Sequence, residues 1–306
     1  MKDNMIKKRI VYLYEKFYVW KMKWTDFYKK RQLGVPEIMT IDETLDYLLE
    51  NKCSVSRYGD GELKIALGLD IRFQKYDEHL EKRIRKILKS SSQKCLICLT
   101  DIFDDITWMT PKSYEYTWRI MSKYREQWTN ILDMSKVYGN AYITRCYIDR
   151  KDKTKSEKWF KKIKRLWENE DIVFVEGEKS RLGYHNDLFS NASSIQRILC
   201  PTKNAYSFYR EILDEIKKID KDKLILLALG PTASILAYDL SEIGYRALDI
   251  GHIDIEYEWF LQKATEKVRI KEKYTSEAYG GDVVSDEVDQ EYTSQIICRI
   301  GCDVKE

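Results

Sequence analysis

Proline and glycine are scarce in this chain of 306 residues, with 4 and 13 occurrences. Their scarcity excludes collagen-like and low-complexity sequences, and the lack of an apolar run of about 20 residues argues against a membrane-spanning helix. Seven cysteines are too few, and odd in number, for a disulfide scaffold, which favours a reducing compartment. The N-terminal charges have no apolar segment behind them, so we expect no secretion signal and a cytoplasmic protein.

An excess of charge of one sign is also lacking, because 53 Lys and Arg balance 50 Asp and Glu to give a net charge of +3. That balance offers no whole-chain reason for a polyanionic partner, and we expect no nucleic acid. The 43% of apolar residues can form a large core. Apolar strand patterns and helical patterns alternate, most clearly from the strand at 224–229 through a helix at 233–243 to a strand at 245–250. This βαβ unit predicts a single Rossmann-like α/β domain over residues 35–306, with a mostly parallel sheet flanked by helices.

Positive charge is concentrated in residues 1–34, which hold ten Lys or Arg against three Asp or Glu and which we interpret as an N-terminal helical segment. Several apolar side chains follow a helical spacing of three or four: Ile10, Tyr14, Phe17, Trp24 and Tyr28. Aromatic stripes are usually buried, which favours a helix packed on the domain with its lysines extended into solvent. The alternatives are a peripheral contact with an anionic membrane and, more remotely, binding of single-stranded nucleic acid.

Local patterns predict further elements on which the site depends. Thr40 begins a capped helix, and strands are expected at 53–57, 95–99, 141–144 and 172–175. Cys95 and Cys98 match a two-cysteine metal spacing but have no second pair, so we interpret them as residues of a buried strand.

Two acidic residues follow the strand predicted at 53–57. Asp60 and Glu62 are separated by a single glycine, and Gly59 and Gly61 would let the backbone bend so that both carboxylates meet one ion. Mg²⁺ and similar hard cations typically take one or two carboxylates together with substrate phosphates. Asp-Gly is also an ordinary turn signal, so the spacing alone leaves a metal site and a plain turn both open.

Three further polar clusters follow predicted strands, where open α/β sheets bind ligands. The loop after the strand at 172–175 either binds a ligand or is simply solvated, and it holds Glu176, Arg181, Asn186 and Asp187. The turn Gly230–Pro231–Thr232 opens a helix whose free N–H groups suit a phosphate, although the full dinucleotide-binding glycine pattern is absent.

The last cluster combines one histidine with three acids. If the strand at 245–250 continues, His252, Asp254 and Glu256 occupy alternate positions and share one side, with Glu258 following. A histidine in a strand is often only structural, whereas acids grouped at a strand end are costly unless they have a task.

Four blocks in this order resemble the GT-D type of glycosyltransferase, first catalogued as the bacterial domain of unknown function 1792. The blocks are Ser56–Glu62, Val175–Gly183 with Asn186–Phe189, Cys200–Ala205, and Ala228–Thr232 continuing through Ala247–Phe260. The resemblance covers about residues 36–302 and leaves the basic N-terminal segment outside.

The resemblance implies metal-dependent transfer of a hexose from a nucleotide-sugar, with UDP-glucose as the favoured donor, to a glycan, lipid-linked or glycoprotein acceptor in bacterial surface-polysaccharide or glycoprotein assembly. It implies that Asp60 and Glu62 hold Mn²⁺ or Mg²⁺. Nucleotide-sugar contacts are expected from Arg57, Gly59, Glu176, Arg181, Asn186, Asp187, Gly230, Pro231 and Thr232. For an inverting reaction we expect the base among Glu256, Asp254 and Glu258, with Glu256 preferred and His252 beside them.

Two other functions use the same residues. A metal-dependent phosphohydrolase or nucleotidyltransferase needs a similar set of acids beside a phosphate loop. A non-catalytic nucleotide-binding module would keep recognition without chemistry.

Overall fold

The computed structural model describes residues 2–285 and 287–302, with side chains from residue 16 onward. Within these residues nine strands form one parallel sheet in the order β1-β4-β3-β2-β8-β7-β5-β6-β9. The strands are β1 (Glu37–Ile38), β2 (Ser54–Tyr58), β3 (Cys95–Leu99), β4 (Val137–Asn140), β5 (Asp171–Gly177), β6 (Ser194–Cys200), β7 (Leu224–Ala228), β8 (Ala247–Asp249) and β9 (Ile296–Arg299). A parallel sheet of this kind confirms the expected α/β class.

Helices cover both faces of the sheet. In chain order they are α1 (Lys2–Leu33), α2 (Ile41–Asn51), α3 (Asp60–Ile65), α4 (Glu78–Leu88), α5 (Pro111–Ile131), α6 (Ser156–Lys164), α7 (Tyr209–Ile216), α8 (Pro231–Glu242), α9 (Ile253–Leu261) and α10 (Gln290–Ser294). Ile172 and Phe174 of β5 pack in the same cluster as residues of α2, α6 and α9, whereas Val173 and Val175 pack with α7 and α8. This alternation along a buried strand gives the sheet two apolar layers.

Several local predictions are confirmed. Thr40 caps α2, since its hydroxyl accepts from the Glu43 N–H (3.2 Å) while the Glu43 carboxylate accepts from the Thr40 N–H (2.7 Å). The βαβ unit appears as β7, α8 and β8. Cys95 and Cys98 are buried on β3 and carry free thiols.

The prediction of a strand at 141–144 is wrong by four residues. Val137–Asn140 forms β4, and Ala141–Thr144 is a short 3₁₀ helix. The Asn140 side chain accepts a hydrogen bond from the Tyr142 N–H (2.9 Å), which favours a turn where the apolar pattern suggested extension.

Strand β6 was missed because its sequence is interrupted by polar residues. Arg197 lies in its centre, only 3% exposed, and donates to the buried carboxylate of Glu176 at 2.5 Å. A buried charge that is paired across neighbouring strands breaks the apolar run by which buried strands are recognised.

Helix α1 packs on α5 through a face different from the one expected. Asp26 forms an ion pair with Arg125 of α5 (2.6 Å), and Val19 and Met22 on the same side are partly buried. Phe17, Trp24 and Tyr28 instead point into solvent and are 60%, 44% and 62% exposed. The expectation that the aromatic stripe packs on the domain is therefore wrong for these three residues, while the side chains of Ile10 and Tyr14 lie outside the described residues.

Candidate active site

A cavity of about 1040 Å³ opens at the carboxyl ends of the central strands. Residues at or shortly after the ends of β2, β3, β4, β5, β6, β7 and β8 all contribute to its lining. The four polar loops identified in the sequence converge here, as the rule for open α/β sheets requires. Of the predicted side chains or glycines, seven line the cavity: Arg57, Gly59, Asp60, Glu62, Gly230, His252 and Asp254.

Asp60 and Glu62 both lie in the first turn of α3, so the helix begins at the acidic pair and not after it. One oxygen of Glu62 accepts from the Gly59 N–H at 2.8 Å, and one oxygen of Asp60 accepts from Lys64 Nζ (2.8 Å) and Tyr116 Oη (2.7 Å). The second oxygen of each carboxylate, Asp60 Oδ1 and Glu62 Oε1, accepts no hydrogen bond from another residue in the described part of the chain.

The two carboxylates differ in acidity. Desolvation, with Asp249 nearby, raises the pKa of Glu62 to about 7. Desolvation opposes ionisation of Asp60 as well, but Lys64 and Tyr116 outweigh it and lower the pKa of Asp60. The site thus pairs a firmly ionised carboxylate with one that a nearby cation would help to ionise.

Arg57 holds the ends of β2 and β8 together. Its Nη2 binds the Asp249 carboxylate (2.8 Å), its Nε donates to the Asp249 carbonyl (2.6 Å), and its Nη1 donates to Thr144 Oγ1 (2.5 Å). The guanidinium occupies the space beside Gly251, where a Cβ would lie 1.9 Å from Nη2 and where φ is +43°. Arg57 therefore lines the cavity, but its main role is structural. At Gly251 there is no room for a side chain.

A cluster of charges that the sequence did not single out lies on the wall between β4 and the segment after α9. Glu277 contacts Arg145 and Lys267, and its Oε1 lies 3.2 Å from His252 Nε2. Desolvation opposes ionisation of Glu277, but Arg145, His252 and Lys267 hold its pKa well below the ordinary value. Arg145 and Lys267 also approach Asp149, at 3.5 and 3.3 Å.

The polar loop after β5 contributes Gly177, Ser180 and Leu182 to the cavity lining, but its predicted charged residues do not reach the cavity. Glu176 is fully buried against Arg197 and accepts from the Leu182 N–H (2.7 Å), and Arg181 donates to the carbonyls of Glu272 and Ser285. Neither side chain lines the cavity. Their predicted contacts with the nucleotide-sugar are corrected to structural roles.

The side chains of Asn186 and Asp187 likewise have structural roles. Asn186 Nδ2 donates to Asp254 (2.8 Å) and Glu258 (2.7 Å), and Asp187 binds Lys164 (2.6 Å) and Tyr257 (2.7 Å). Neither lines the cavity.

The turn before α8 is less open than the sequence suggested. Gly230 adopts φ +54°, and the Phe73 ring lies where its Cβ would be, at 2.6 Å. Pro231 and Thr232 are buried at the start of α8 and do not line the cavity. Phe73 and Gly230 form the wall, so the predicted contacts of Pro231 and Thr232 with phosphate are not supported.

The acids after β8 do not share one side, because the chain enters α9 at Ile253 instead of continuing as a strand. In a helix, residues four apart share a face and residues two apart do not. Accordingly Asp254 and Glu258 both bind Lys273 Nζ, at 2.7 and 2.8 Å. Asp254 lines the cavity, whereas Glu258 does not.

Glu256 points away from the cavity and is fully buried. Its Oε2 accepts from the N–H groups of Tyr147 and Ile148, both at 3.0 Å. In this structure the Glu256 carboxylate therefore has no access to an acceptor hydroxyl, and the predicted preference for Glu256 as the base is wrong.

The cavity residues that the sequence analysis did not single out had weak local signals. Asp249 stands inside the quoted block but at a strand end that reads as apolar, and Tyr116 lies on a helix far along the chain. Arg145 follows a segment interpreted as a strand, and Glu277 lies in a long segment without a recognisable motif. Only the folded chain places them in the same cavity as Asp60.

The donor chemistry of the cavity fits a divalent cation that also binds a substrate. Seven Asp or Glu and six Lys or Arg line it, so a diphosphate would enter a site with no excess of positive charge. Among the described residues, no three His, Cys, Asp or Glu side chains form a metal site by themselves. Two carboxylates with an unused oxygen each match a hard cation whose remaining ligands are phosphate and water.

Comparison with known proteins identifies the family. A model of the glycosyltransferase GT-D fold matches residues 55–278. A probable glycosyl transferase Gly from Streptococcus gordonii is 41% identical over 275 residues, and the glycosyltransferase GlyD from Streptococcus pneumoniae is 41% identical over 276. Each alignment covers 89% of this chain but only 39% and 33% of those relatives, so the chain spans between about a third and two fifths of their length.

Solved structures of similar proteins superpose on nearly the whole fold of this chain. A structure of domain of unknown function 1792, described as having a distinct glycosyltransferase fold, superposes with a TM-score of 0.86 at 43% identity, covering 90% of this chain and 100% of its own. A glycosyltransferase from Streptococcus sanguinis gives 0.83 at 40% identity, covering 87% of this chain and 99% of its own. The sequence, the parallel sheet and the cavity at its strand ends agree: this chain belongs to the family of glycosyltransferases with the GT-D fold.

Proposed function

We propose that the chain transfers a hexose from a nucleoside diphosphate sugar, with UDP-glucose as the favoured donor, to a glycan, lipid-linked or glycoprotein acceptor, and that transfer depends on Mn²⁺ or Mg²⁺. The observation that supports it is the position of Asp60 and Glu62 in the cavity, each with an oxygen that takes no hydrogen bond from another residue. Family membership supports glycosyl transfer, and a cytoplasmic role in surface-polysaccharide or glycoprotein assembly is part of the proposal.

Asp60 and Glu62 would hold the cation, which when bound supplies Lewis-acid stabilisation of the leaving nucleotide. Lys64 keeps Asp60 ionised, and the Gly59 N–H fixes one oxygen of Glu62, so both side chains are oriented before any ligand enters. Pre-positioned charge of this kind needs little rearrangement during reaction.

The donor diphosphate would have cationic neighbours in the cavity. Arg145 and Lys267 line the cavity, and their contacts with Glu277 and Asp149 hold them there. Arginine suits a diphosphate because its planar fork binds two oxygens at once.

An acceptor hydroxyl needs a base if the anomeric centre is inverted. Of the three acids on α9, Asp254 alone lines the cavity, and its contacts with Lys273 and the Gly183 N–H fix the orientation of its carboxylate. We therefore move the base role from Glu256 to Asp254 for an inverting reaction.

The proposal is tested by Asp60→Asn. Acceptor-dependent release of UDP from UDP-glucose should fall about a hundredfold or more, because a catalytic metal contributes several kcal/mol to transition-state stabilisation. Binding of Mn²⁺ in the presence of UDP, measured by calorimetry, should be lost as well. Unfolding should change little, since the Asp60–Lys64 pair is partly exposed and such pairs contribute at most about 1 kcal/mol.

Asp222→Asn, an exposed residue outside the cavity, is the matched control and should leave turnover unchanged. Full activity of Asp60→Asn would remove the metal role. Release of inorganic phosphate without acceptor would favour the phosphohydrolase, and tight nucleotide binding without turnover over many acceptors would favour the binding module.

A further inference from the structure

The exposed side of α1 carries a continuous patch of aromatic rings. Phe17, Trp20, Trp24, Phe27 and Tyr28, here named the aromatic face, are between 44% and 62% exposed. Neighbouring rings touch one another, with centroids 5.6 to 6.1 Å apart. Five large aromatic side chains grouped in solvent are unusual, because such surface is normally buried in a core or an interface.

The aromatic face is directed away from the rest of the molecule. With 100° per residue, Trp20, Trp24 and Phe27 lie opposite Met22 and Asp26, which face α5. The helix is held in this orientation by a bidentate ion pair, since Arg125 Nε and Nη2 bind the two Asp26 oxygens at 2.6 and 3.0 Å. Arg125 is only 3% exposed, so rolling α1 to bury the rings would leave a buried charge unpaired.

Lys29 and Lys30 add to this attachment. Lys29 binds Glu126 at 2.9 Å, and Lys30 binds Asp104. Both contacts lie on the packed side of α1, so charged groups fix the helix while its aromatic groups remain outside.

The charge around the aromatic face is positive. Lys21 and Arg31 are exposed beside the rings, and Asp26, the one acid among residues 16–34, is used by Arg125. Residues 1–34 as a whole contain ten Lys or Arg against three acids, whereas the remainder of the chain has a net charge of −4. An exposed helical surface of tryptophan, tyrosine and cations complements the interface of an anionic bilayer.

We propose that α1 lies on the surface of an anionic membrane, with the aromatic face among the lipid headgroups and acyl ends and with Lys21 and Arg31 against the phosphates. A second copy of the chain fits this face less well, because a two-fold contact would bring the cations of both copies together. No helix in the described ranges is long and apolar enough to cross a bilayer, so the contact is an interfacial one.

Vesicle sedimentation of the full chain tests this. Partition onto phosphatidylcholine vesicles that contain phosphatidylglycerol should exceed partition onto pure phosphatidylcholine at least tenfold, and added salt should weaken it. Trp20→Ser with Trp24→Ser should reduce binding at least tenfold through loss of the aromatic surface. Lys21→Glu with Arg31→Glu should reduce binding to the anionic vesicles by a similar factor and leave the weak binding to neutral vesicles unchanged.

Tyr279→Ser with Ile243→Ser is the matched control, since both residues are exposed hydrophobic side chains outside α1. That variant should bind vesicles like the unaltered chain, and all variants should keep the same melting temperature. The proposal is overturned if the tryptophan variant binds anionic vesicles undiminished. It is equally overturned if the unaltered chain does not bind anionic vesicles, whether or not it dimerises through these tryptophans or binds a single-stranded oligonucleotide. None of these readouts depends on glycosyl transfer, so the result stands apart from that of the Asp60→Asn experiment.

Discussion

Glu256 carries a carboxylate that could act as a catalytic base, but in this protein its role is structural. Its carboxylate accepts two backbone N–H groups just after the 3₁₀ turn that follows β4. Desolvation raises its pKa to about 7, with Arg145 acting against that rise and Asp149 adding to it. A buried carboxylate of this kind makes the stability of the protein depend on pH.

The Glu256→Gln variant measures that dependence. Between about pH 4.5 and pH 7 the unfolded chain releases the Glu256 proton while the folded chain keeps it, so the contribution of Glu256 to stability falls as pH rises and is constant above pH 7. Relative to Glu256→Gln, the unaltered chain should therefore lose up to about 3 kcal/mol between pH 5 and pH 8. Urea unfolding at the two pH values gives the difference.

Glu50→Gln, at an exposed position, is the control variant and is unfolded under the same two conditions. An equal stability difference between Glu256→Gln and the unaltered chain at pH 5 and pH 8 would contradict the raised pKa.

At the scale of elements, the segment between α9 and α10 owes its position to buried charges. Its residues 262–285 and 287–289 form no helix or strand, yet Lys273 is 2% exposed and binds both Asp254 and Glu258 of α9. The same segment supplies Lys267 and Glu277 to the cavity wall. The Lys273 contacts thus join the segment to the helix that carries Asp254.

Replacing Lys273 with Met should lower the free energy of unfolding by about 3 to 5 kcal/mol, because two largely buried carboxylates lose their shared cation. The Lys271→Met variant, at an exposed position two residues earlier, should change stability by less than about 0.5 kcal/mol. Chemical denaturation of both variants decides the matter. A loss below about 1 kcal/mol for Lys273→Met would show that the segment is held by other contacts.

At the scale of the whole molecule, the order of the strands decides what meets in the cavity. The chain runs outward from β2 through β3 to β4, crosses to β5 and β6, and returns to place β8 between β2 and β7. Asp60 after β2 and Asp249 at the end of β8 thereby line the same cavity, although they are 189 positions apart in the sequence. A ligand that contacts several strand ends binds the folded state alone.

Such a ligand should stabilise the protein by mass action. UDP-glucose together with Mn²⁺ at a hundredfold excess over its dissociation constant should add about 2.7 kcal/mol and raise the melting temperature by several degrees. Thermal unfolding with UDP-glucose alone, with Mn²⁺ alone and with both should show that the combined effect exceeds the two separate ones. If the combined shift is no larger in the unaltered chain than in Asp60→Asn, the cation does not bridge protein and nucleotide.

The sequence by itself determined the α/β class, the family resemblance, the capped helix at Thr40 and the four loops at the strand ends, because these follow from local pattern and backbone chemistry. The tertiary structure decided which side chains of those loops enter the cavity. Asp60, Glu62 and Asp254 line the cavity, whereas Glu176, Arg181 and Glu256 do not. The difference arises because a buried charge takes the direction in which it finds a partner. Those partners are distant in sequence or are separated from the charge by a turn that only packing defines. They are Arg197, the carbonyls of Glu272 and Ser285, and the N–H groups of Tyr147 and Ile148.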